Sequence, residues 1–404
     1  MDLLPLTNEQ LNSERAAVYD AMQKAYERSG CPNDAQLDIT YRCDLDCQHC
    51  YLDNRQNWPE LTTQEWLRVL DQLADIGIWN LGWSGGETLL RKDLLQLLEY
   101  AQKRGFSSNL RTHAGSLTPA IASELKRLCV TKIKVSIYSL NPEIHDGFTR
   151  RPGSLAASLA GMRAARDAGL AVHADIIVQA NTVEEIPALA AYFDAQGMSC
   201  DFGTNIYRDH LARQDLDLLE LTSAERIRAR ELIWQVKSEP VDFVPRPTER
   251  PDKGPCGAGR TYLYISPDGA VWPCVMFPME LGHLRKNSLR EIWDHSPQRQ
   301  AILAFSNKNR TACNSCGGSE VCFYCPGEAF KHTGDFRNPP EHFHSRTRDL
   351  MHGYEAARGP RYTPDQWASV PAGGPRRATP GRFLFPIYRP SKHGGARVTP
   401  ANKP

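Results

Sequence analysis

Nine of the twelve cysteines fall into two groups, and their spacing is the feature of this sequence that most directly implies chemistry. One group is Cys43, Cys47 and Cys50; the other is six cysteines between Cys256 and Cys325. Thiolates are soft ligands that suit iron–sulfur clusters and zinc. The first residues lack the basic start and apolar core of a signal peptide, so clustered cysteines favour metal or redox chemistry over structural disulfides.

The first group can converge on one metal centre from a single loop. A closed structural zinc site needs four protein ligands, usually from two separated pairs. Three ligands from one compact loop would leave a coordination position open, where a small molecule can bind. A zinc knuckle and three unrelated cysteines are the alternatives at this point.

Alternating strands and helices surround these cysteines. The predicted strands lie at 37–40, 79–83, 108–112, 132–137, 172–178 and 201–206, and the predicted helices at 64–76, 94–104, 119–128, 155–168 and 183–196. This alternation predicts an α/β fold of parallel βαβ units. An open doubly wound sheet and a partial barrel fit the pattern equally, and both place functional loops at the carboxyl ends of the strands.

The Cys-x3-Cys-x2-Cys segment after the first predicted strand resembles the signature of the radical S-adenosylmethionine (SAM) superfamily. The resemblance implies a partial (β/α)6 barrel of the TIM type, in which the three cysteines hold a [4Fe–4S] cluster and SAM binds its open iron. It also implies reductive cleavage of SAM to a 5′-deoxyadenosyl radical that abstracts hydrogen, with an electron donor such as flavodoxin or ferredoxin. His49 stands where the family usually has an aromatic residue, and it can still stack on the cofactor.

Further segments resemble the SAM-binding motifs of this family. The segment 84–88, Ser-Gly-Gly-Glu-Thr, resembles a Gly-Gly-Glu-Pro motif, which implies that Gly85, Gly86 and Glu87 bind the SAM amino group. The other strand ends that the resemblance places near SAM carry Thr112, Ser136, Gln179 and Asn181. The alternatives are an ordinary tight turn and satisfied polar side chains. No catalytic acid or base is assigned.

The second cysteine group resembles the SPASM extension, which carries auxiliary [4Fe–4S] clusters. A predicted hairpin, with strands at 262–265 and 270–272, brings Cys256 and Cys274 near each other. The array departs from the family pattern because the gap before Cys325 is two residues instead of three and no later cysteine follows. The resemblance therefore implies one or two auxiliary clusters.

The resemblance divides these cysteines between two sites. It implies a first cluster on Cys256, Cys274 and Cys325 with an open or non-cysteine fourth ligand. It implies a second on Cys313, Cys316 and Cys322, with candidate fourth ligands Asp335, His342 and His344. The alternatives are that the second cluster is open or missing, or that zinc binds Cys313, Cys316, Cys322 and Cys325.

Composition limits the remaining possibilities. With 48 Lys and Arg against 47 Asp and Glu, the formal net charge is +1, so no strong field favours nucleic acid or membrane partners. No apolar run reaches the roughly 18 residues of a membrane span, so we expect a cytoplasmic protein. The predicted organisation is a helical extension at 1–35, a radical SAM core at 36–206, a connector at 207–255 with a helix at 224–236, a SPASM-type domain at 256–345 with a helix at 289–294, and a disordered basic tail at 360–404.

Relatives with this architecture mostly modify peptides or proteins. The resemblance therefore implies maturation of a ribosomally synthesised peptide by thioether formation, carbon–carbon cross-linking or side-chain oxidation. The alternatives are formylglycine formation of the anaerobic sulfatase-maturase type, modification of a porphyrin or other small molecule, and a zinc-bound binding module without catalysis. The segment before Cys43 is short for a peptide-binding domain, which favours a separate peptide-binding protein.

Overall fold

The computed structural model describes residues 18–373, except for 19, 20, 23, 27, 53–58, 208–218 and 238–251. Its strands form one sheet of nine in the order β6-β5-β4-β3-β2-β1-β7-β8-β9. They are β1 (Asp34–Thr40), β2 (Asn80–Gly85), β3 (Ser107–Thr112), β4 (Val130–Ile137), β5 (Ala171–Ile177), β6 (Ser199–Gly203), β7 (Tyr262–Ile265), β8 (Ala270–Trp272) and β9 (Gly282–His283).

The helices lie between and after these strands. They are α1 (Thr63–Asp75), α2 (Leu94–Lys103), α3 (Pro119–Arg127), α4 (Pro142–Thr149), α5 (Ser154–Asp167), α6 (Ile186–Ala195), α7 (Ser223–Val236), α8 (Leu289–His295), α9 (Pro297–Ala304), α10 (Thr311–Asn314), α11 (Pro326–Thr333), α12 (Glu341–Arg358) and α13 (Pro364–Ser369). Short 3-10 turns occupy Thr88–Leu90, Ala180–Glu185 and Asn307–Asn309. Within the described residues, no helix has both the length and the apolar character needed to cross a bilayer.

Local sequence signals fix where several helices begin. Thr62 caps α1, and the Glu65 side chain returns a hydrogen bond to the Thr62 backbone, which satisfies two amides that the first turn leaves unpaired. Trp66, Leu70 and Leu73 recur at helical spacing and face the core. The same reciprocal cap starts α7 and α8, so these boundaries were readable from the sequence.

The six strands β1 to β6 are all parallel, each of β1 to β5 pairs with the strand that follows it in the chain, and β6 forms one edge of the sheet. Helices connect them, and their apolar faces bury the largest core cluster. The prediction of an α/β fold built from parallel βαβ units is therefore confirmed. All functional loops after these strands lie at one end of the sheet.

The cysteine-rich region is continuous with this sheet. Strand β7 pairs in parallel with β1 from Asp34 opposite Tyr262 to Leu37 opposite Ile265, and β8 and β9 continue outward as antiparallel strands. Gly269, with a φ of 97°, forms the β7–β8 turn. The predicted hairpin is present, and it attaches the second cysteine group to the strand that leads into the first.

Several predicted boundaries need correction. Helix α4 was not predicted, and α12 runs through the predicted boundary at residue 345. The tail boundary at 360 is too early, because Pro364–Ser369 is helical and Val370 is 1% exposed. Helix α12 lacks a side-chain cap at Pro340, so its start carries little local signal. Most of the predicted tail, residues 374–404, and the first 17 residues of the predicted extension lie outside the described residues.

Candidate functional site

The cysteine loop, residues 43–50, follows β1 at the carboxyl end of the parallel sheet. Its backbone is fixed to the end of α4, because the Asp46 amide donates to the Thr149 carbonyl and the Gln48 amide to the Phe148 carbonyl, at 3.1 and 3.0 Å. The Cys43 thiol interacts electrostatically with those of Cys47 and Cys50. The fold therefore brings the three predicted ligands together on one braced loop.

Gly85 and Gly86 hold this loop against the next strand. A Cβ atom on Gly85 would lie 2.1 Å from the Thr40 carbonyl oxygen, and one on Gly86 would lie 2.3 Å from that of Arg42. The Gly86 amide donates to the Thr40 carbonyl and the Glu87 amide to the Arg42 carbonyl, both at 2.8 Å. Glycine is required here because the chain entering the cysteine loop fills the space of a side chain.

Glu87 is fully buried and accepts hydrogen bonds from within the protein. Its carboxylate accepts from the Thr112 hydroxyl at 2.6 Å and from the backbone amides of His113 and Leu89 at 2.8 and 2.9 Å. Glu87 and Thr112, both predicted to bind SAM, thus bond to each other. The arrangement joins the Gly-Gly-Glu turn to the end of β3.

His113 and Asp44 lie beside Cys43, and neither was predicted as a site residue. The His113 Nε2 is 2.8 Å from an Asp44 oxygen and 3.1 Å from a Glu87 oxygen, and the ligand atoms of Cys43, Asp44 and His113 lie within 4.8 Å of one another. The position of His113 directly after a strand was the available sequence signal. Ala114, next in the chain, has a φ of 61°, which is unfavourable for a residue with a side chain.

The other predicted SAM-binding residues lie on neighbouring strand ends. Ser136 is partly exposed on β4, Asn181 is exposed, and Gln179 is 9% exposed after β5. The Gln179 Nε2 is buried without a hydrogen-bond partner among the described residues, as expected of a donor that serves a ligand. The His49 ring packs at centroid distances of 5.3 Å from Tyr138 and 5.1 Å from Phe148.

The chemistry of the thiols also suits a cationic metal centre. Burial raises the pKa of Cys43 to about 12, because desolvation disfavours a lone thiolate. A metal ligand must nevertheless be the thiolate, so the loop requires a positive centre to hold it deprotonated. An iron–sulfur cluster ligated by Cys43, Cys47 and Cys50 meets that requirement.

A second site, the auxiliary cavity, lies in the cysteine-rich region. Its volume is about 780 Å³, and all six C-terminal cysteines line it. They are Cys256, Cys274, Cys313, Cys316, Cys322 and Cys325. Burial raises the pKa of Cys274 to about 12, and those of Cys322 and Cys325 to about 11, so these thiols stay protonated at neutral pH unless a bound cation stabilises the thiolate.

Electrostatic contacts divide these thiols into two trios. Cys274 interacts with both Cys256 and Cys325, and Cys325 also interacts with Cys256. Cys325 is the N-cap residue of α11, so its side chain accepts a hydrogen bond from the Glu328 amide. This trio is the one that the sequence resemblance assigns to a first auxiliary cluster.

The second trio is Cys313, Cys316 and Cys322. Cys322 interacts with both other thiols, and Cys316 with Cys313. The Arg310 guanidinium donates to the Cys313 sulfur at 3.4 Å. A cluster bound at this trio would have the Arg310 cation beside one thiolate ligand, where the positive charge would stabilise an added electron.

Two known protein-family models match the regions of this chain that carry the two cysteine groups. The model of the radical SAM superfamily matches residues 37–192, and the model of SPASM, an iron–sulfur cluster-binding domain, matches residues 256–317. The chain contains a radical SAM domain followed by a SPASM domain. The first matched region contains the cysteine loop and the parallel sheet up to β5, and the second contains the hairpin and the first four C-terminal cysteines. A radical SAM domain indicates an enzyme, so the alternative of a zinc-bound binding module without catalysis is set aside.

Three similar proteins illustrate the group. This radical SAM–SPASM enzyme is 29% identical over 324 residues to an AdoMet-dependent heme synthase of Methanosarcina barkeri (strain Fusaro / DSM 804), covering 74% of this chain and 92% of the relative. It is 28% identical over 314 residues to a PqqA peptide cyclase of Granulibacter bethesdensis (strain ATCC BAA-1260 / CGDNIH1), covering 74% and 83%. The crystal structure of Streptococcus suis SuiB bound to precursor peptide SuiA shares the fold, with a TM-score of 0.59, 17% identity, and coverage of 82% and 79%.

Proposed function

We propose that this radical SAM–SPASM enzyme modifies a ribosomally synthesised peptide, by forming a thioether or carbon–carbon link or by oxidising a side chain. The observation that carries the proposal is the pairing of β1 with β7. Because of that pairing, one continuous sheet supports both the cysteine loop and the hairpin beside the auxiliary cavity. A hydrogen-abstracting centre and an electron-accepting centre can thus serve one substrate.

When bound, SAM and the loop cluster supply the hydrogen-abstracting radical. The residues of this chain position that chemistry. Cys43, Cys47 and Cys50 hold the cluster iron, and the Gly85–Gly86 turn fixes the loop to β2. The buried Gln179 amide faces the strand ends where we place SAM, and Ser136 and Asn181 lie on neighbouring strand ends.

Cross-linking oxidises the substrate by two electrons. One hydrogen atom leaves by abstraction; the other leaves as a proton, and its electron must pass to an acceptor. We propose that clusters on the two cysteine trios accept that electron, and that an external donor such as flavodoxin or ferredoxin reduces the loop cluster. A separate peptide-binding protein is proposed to deliver the substrate.

Two relatives support a peptide substrate. One is named a PqqA peptide cyclase, and SuiB was crystallised with a precursor peptide. A second candidate is a porphyrin side chain, which the similarity to a heme synthase favours at nearly equal identity. The two relatives are 29% and 28% identical to this chain, so the experiment compares both substrate classes directly.

The test uses enzyme reconstituted without oxygen, with SAM, a reductant, and either a Cys- or aromatic-rich peptide encoded beside the gene or an iron porphyrin. We expect reductant-dependent 5′-deoxyadenosine, and a peptide that loses the mass of two hydrogen atoms on cross-linking. The matched control is Cys47→Ala, which removes one loop ligand and should abolish both products. A mass change confined to the porphyrin would replace the peptide proposal with the second candidate.

A further inference from the structure

The second cysteine trio offers three ligands to a cluster that contains four irons. Cys313, Cys316 and Cys322 interact with one another, and the other three described cysteines that line the cavity belong to the first trio. The fourth iron must therefore take an oxygen or nitrogen ligand or stay open. The candidate ligands for that iron are therefore the side chains that line the auxiliary cavity.

Two described residues lining that cavity carry a carboxylate or an imidazole, Asp252 and His344. The Asp252 side chain is 86% exposed and forms an ion pair with Lys308 at 3.5 Å, so it lies at the solvent boundary. His344 is partly buried and lies on α12, which closes one side of the cavity. Of the two, His344 is the residue that lies away from the solvent boundary.

Helical geometry brings His344 close to the second trio. The Thr347 side chain lies beside the Cys322 thiol, and its hydroxyl donates to the Phe343 carbonyl at 2.8 Å. Residues three apart on a helix share a face, with Cβ atoms roughly 5–6 Å apart. His344 therefore lies one turn before the residue that already contacts a cluster ligand, and both line the cavity.

The other two sequence candidates are placed elsewhere. Asp335 forms an ion pair with Arg337 at 2.8 Å and does not line the cavity. His342 packs at a centroid distance of 4.5 Å from the His332 ring, beside the buried Glu328. Because two residues along a helix differ by about 200° in direction, His342 and His344 face opposite sides of α12.

We propose that His344 supplies the fourth iron ligand of a [4Fe–4S] cluster held by Cys313, Cys316 and Cys322. Imidazole is an established ligand of iron–sulfur clusters, and exchanging thiolate for imidazole raises the reduction potential. A higher potential suits a centre that must accept an electron from the substrate. This inference rests on the auxiliary clusters of the proposed function, but not on the identity of the substrate.

The test is pulsed electron paramagnetic resonance on the reduced, reconstituted full-length chain without SAM. Cys43, Cys47 and Cys50 are all replaced by Ala, so that the loop cluster contributes no signal. We expect a nitrogen hyperfine coupling that changes when histidine is labelled with nitrogen-15 and disappears in His344→Ala. The variant His344→Cys should keep the cluster iron, lose the coupling and lower the midpoint potential.

The control is His352→Gln, an exposed position on the same helix, which should leave the coupling unchanged. A coupling that persists in His344→Ala, or a cluster without any histidine coupling, would overturn the inference. Iron content that does not fall when Cys313 and Cys316 are also replaced would overturn it as well, by showing no cluster at the trio. None of these three results depends on peptide modification, so failure here is distinct from failure of the proposed substrate.

Discussion

At the scale of single residues, the Gly-Gly-Glu turn acts first on the protein's own backbone. The absence of side chains at Gly85 and Gly86 lets the chain of Thr40 and Arg42 pass within hydrogen-bonding distance. Glu87 then ties this junction to Thr112 on β3. The motif that the sequence associates with SAM therefore also sets the position of the cysteine loop.

A methyl group at Gly86 should displace the loop. In Gly86→Ala the new Cβ would lie 2.3 Å from a backbone oxygen, which cannot rotate away as a flexible side chain would. We expect the rate of 5′-deoxyadenosine formation to fall by about a hundredfold, the scale associated with a 1 Å displacement at a reacting centre. The matched control is Gly147→Ala in α4, where nothing lies within 4 Å of the added Cβ. Equal rates in the two variants would show that the junction does not position the loop.

At the scale of elements, helices α7 and α12 connect the sheet to the cysteine-rich region. The Arg226 Nε donates to the buried Asp349 carboxylate at 2.7 Å, and the Ser223 hydroxyl donates to the same carboxylate. Arg346 on α12 pairs with Glu220 at 2.9 Å. Helix α12 carries His344, so these contacts also set the wall of the auxiliary cavity.

Removing the Asp349 carboxylate should weaken this helix pair. The Arg226 side chain is 15% exposed, so Asp349→Ala leaves a largely buried cation without its partner. We expect the free energy of unfolding, measured in urea, to fall by about 2–3 kcal/mol. This loss is somewhat smaller than the loss expected when a fully buried ion pair is broken. In Glu99→Ala, which breaks the exposed Lys103–Glu99 pair, the loss should stay under about 1 kcal/mol. If Asp349→Ala lowers the free energy of unfolding by no more than Glu99→Ala does, the contacts between α7 and α12 do not support the structure as proposed.

At the scale of the whole molecule, a buried polar network joins the two domains. Asp38 on β1 is fully buried and accepts a hydrogen bond from the Tyr264 hydroxyl on β7 at 3.0 Å, and Tyr264 in turn bonds to Tyr41. Gln36 donates to Asp38 at 3.1 Å. Burial raises the pKa of Asp38 from 3.8 to about 6, against the opposing effect of these hydrogen bonds.

That shift predicts a pH-dependent stability. A carboxyl group whose pKa is higher in the folded state favours folding when protonated, so stability falls as pH rises from about 3.8 to about 6, by up to about 3 kcal/mol. Asp38→Asn cannot titrate and should lose this component. Thermal denaturation at about pH 5 and about pH 8 measures this effect. The melting temperature of the variant minus that of the wild type should be larger at about pH 8 than at about pH 5. A constant difference between the two proteins would show that Asp38 keeps an ordinary pKa.

The sequence by itself determined the cofactor class and the parallel α/β core. Cysteine spacing, alternating periodicity and reciprocal helix caps are local patterns, and each constrains a few consecutive residues without reference to the rest of the chain. The trio at Cys43, the glycine turn and most core elements were therefore readable. Helix α12 was not, because it begins without a side-chain cap.

The tertiary structure decided which distant residues meet. It paired β7 with β1, placed His113 and Asp44 beside Cys43, and bonded Glu87 to Thr112. It also placed His344, and neither His342 nor Asp335, in the cavity with the six cysteines. Such contacts join segments far apart in the chain, and only the packing of whole elements sets which of their faces come together.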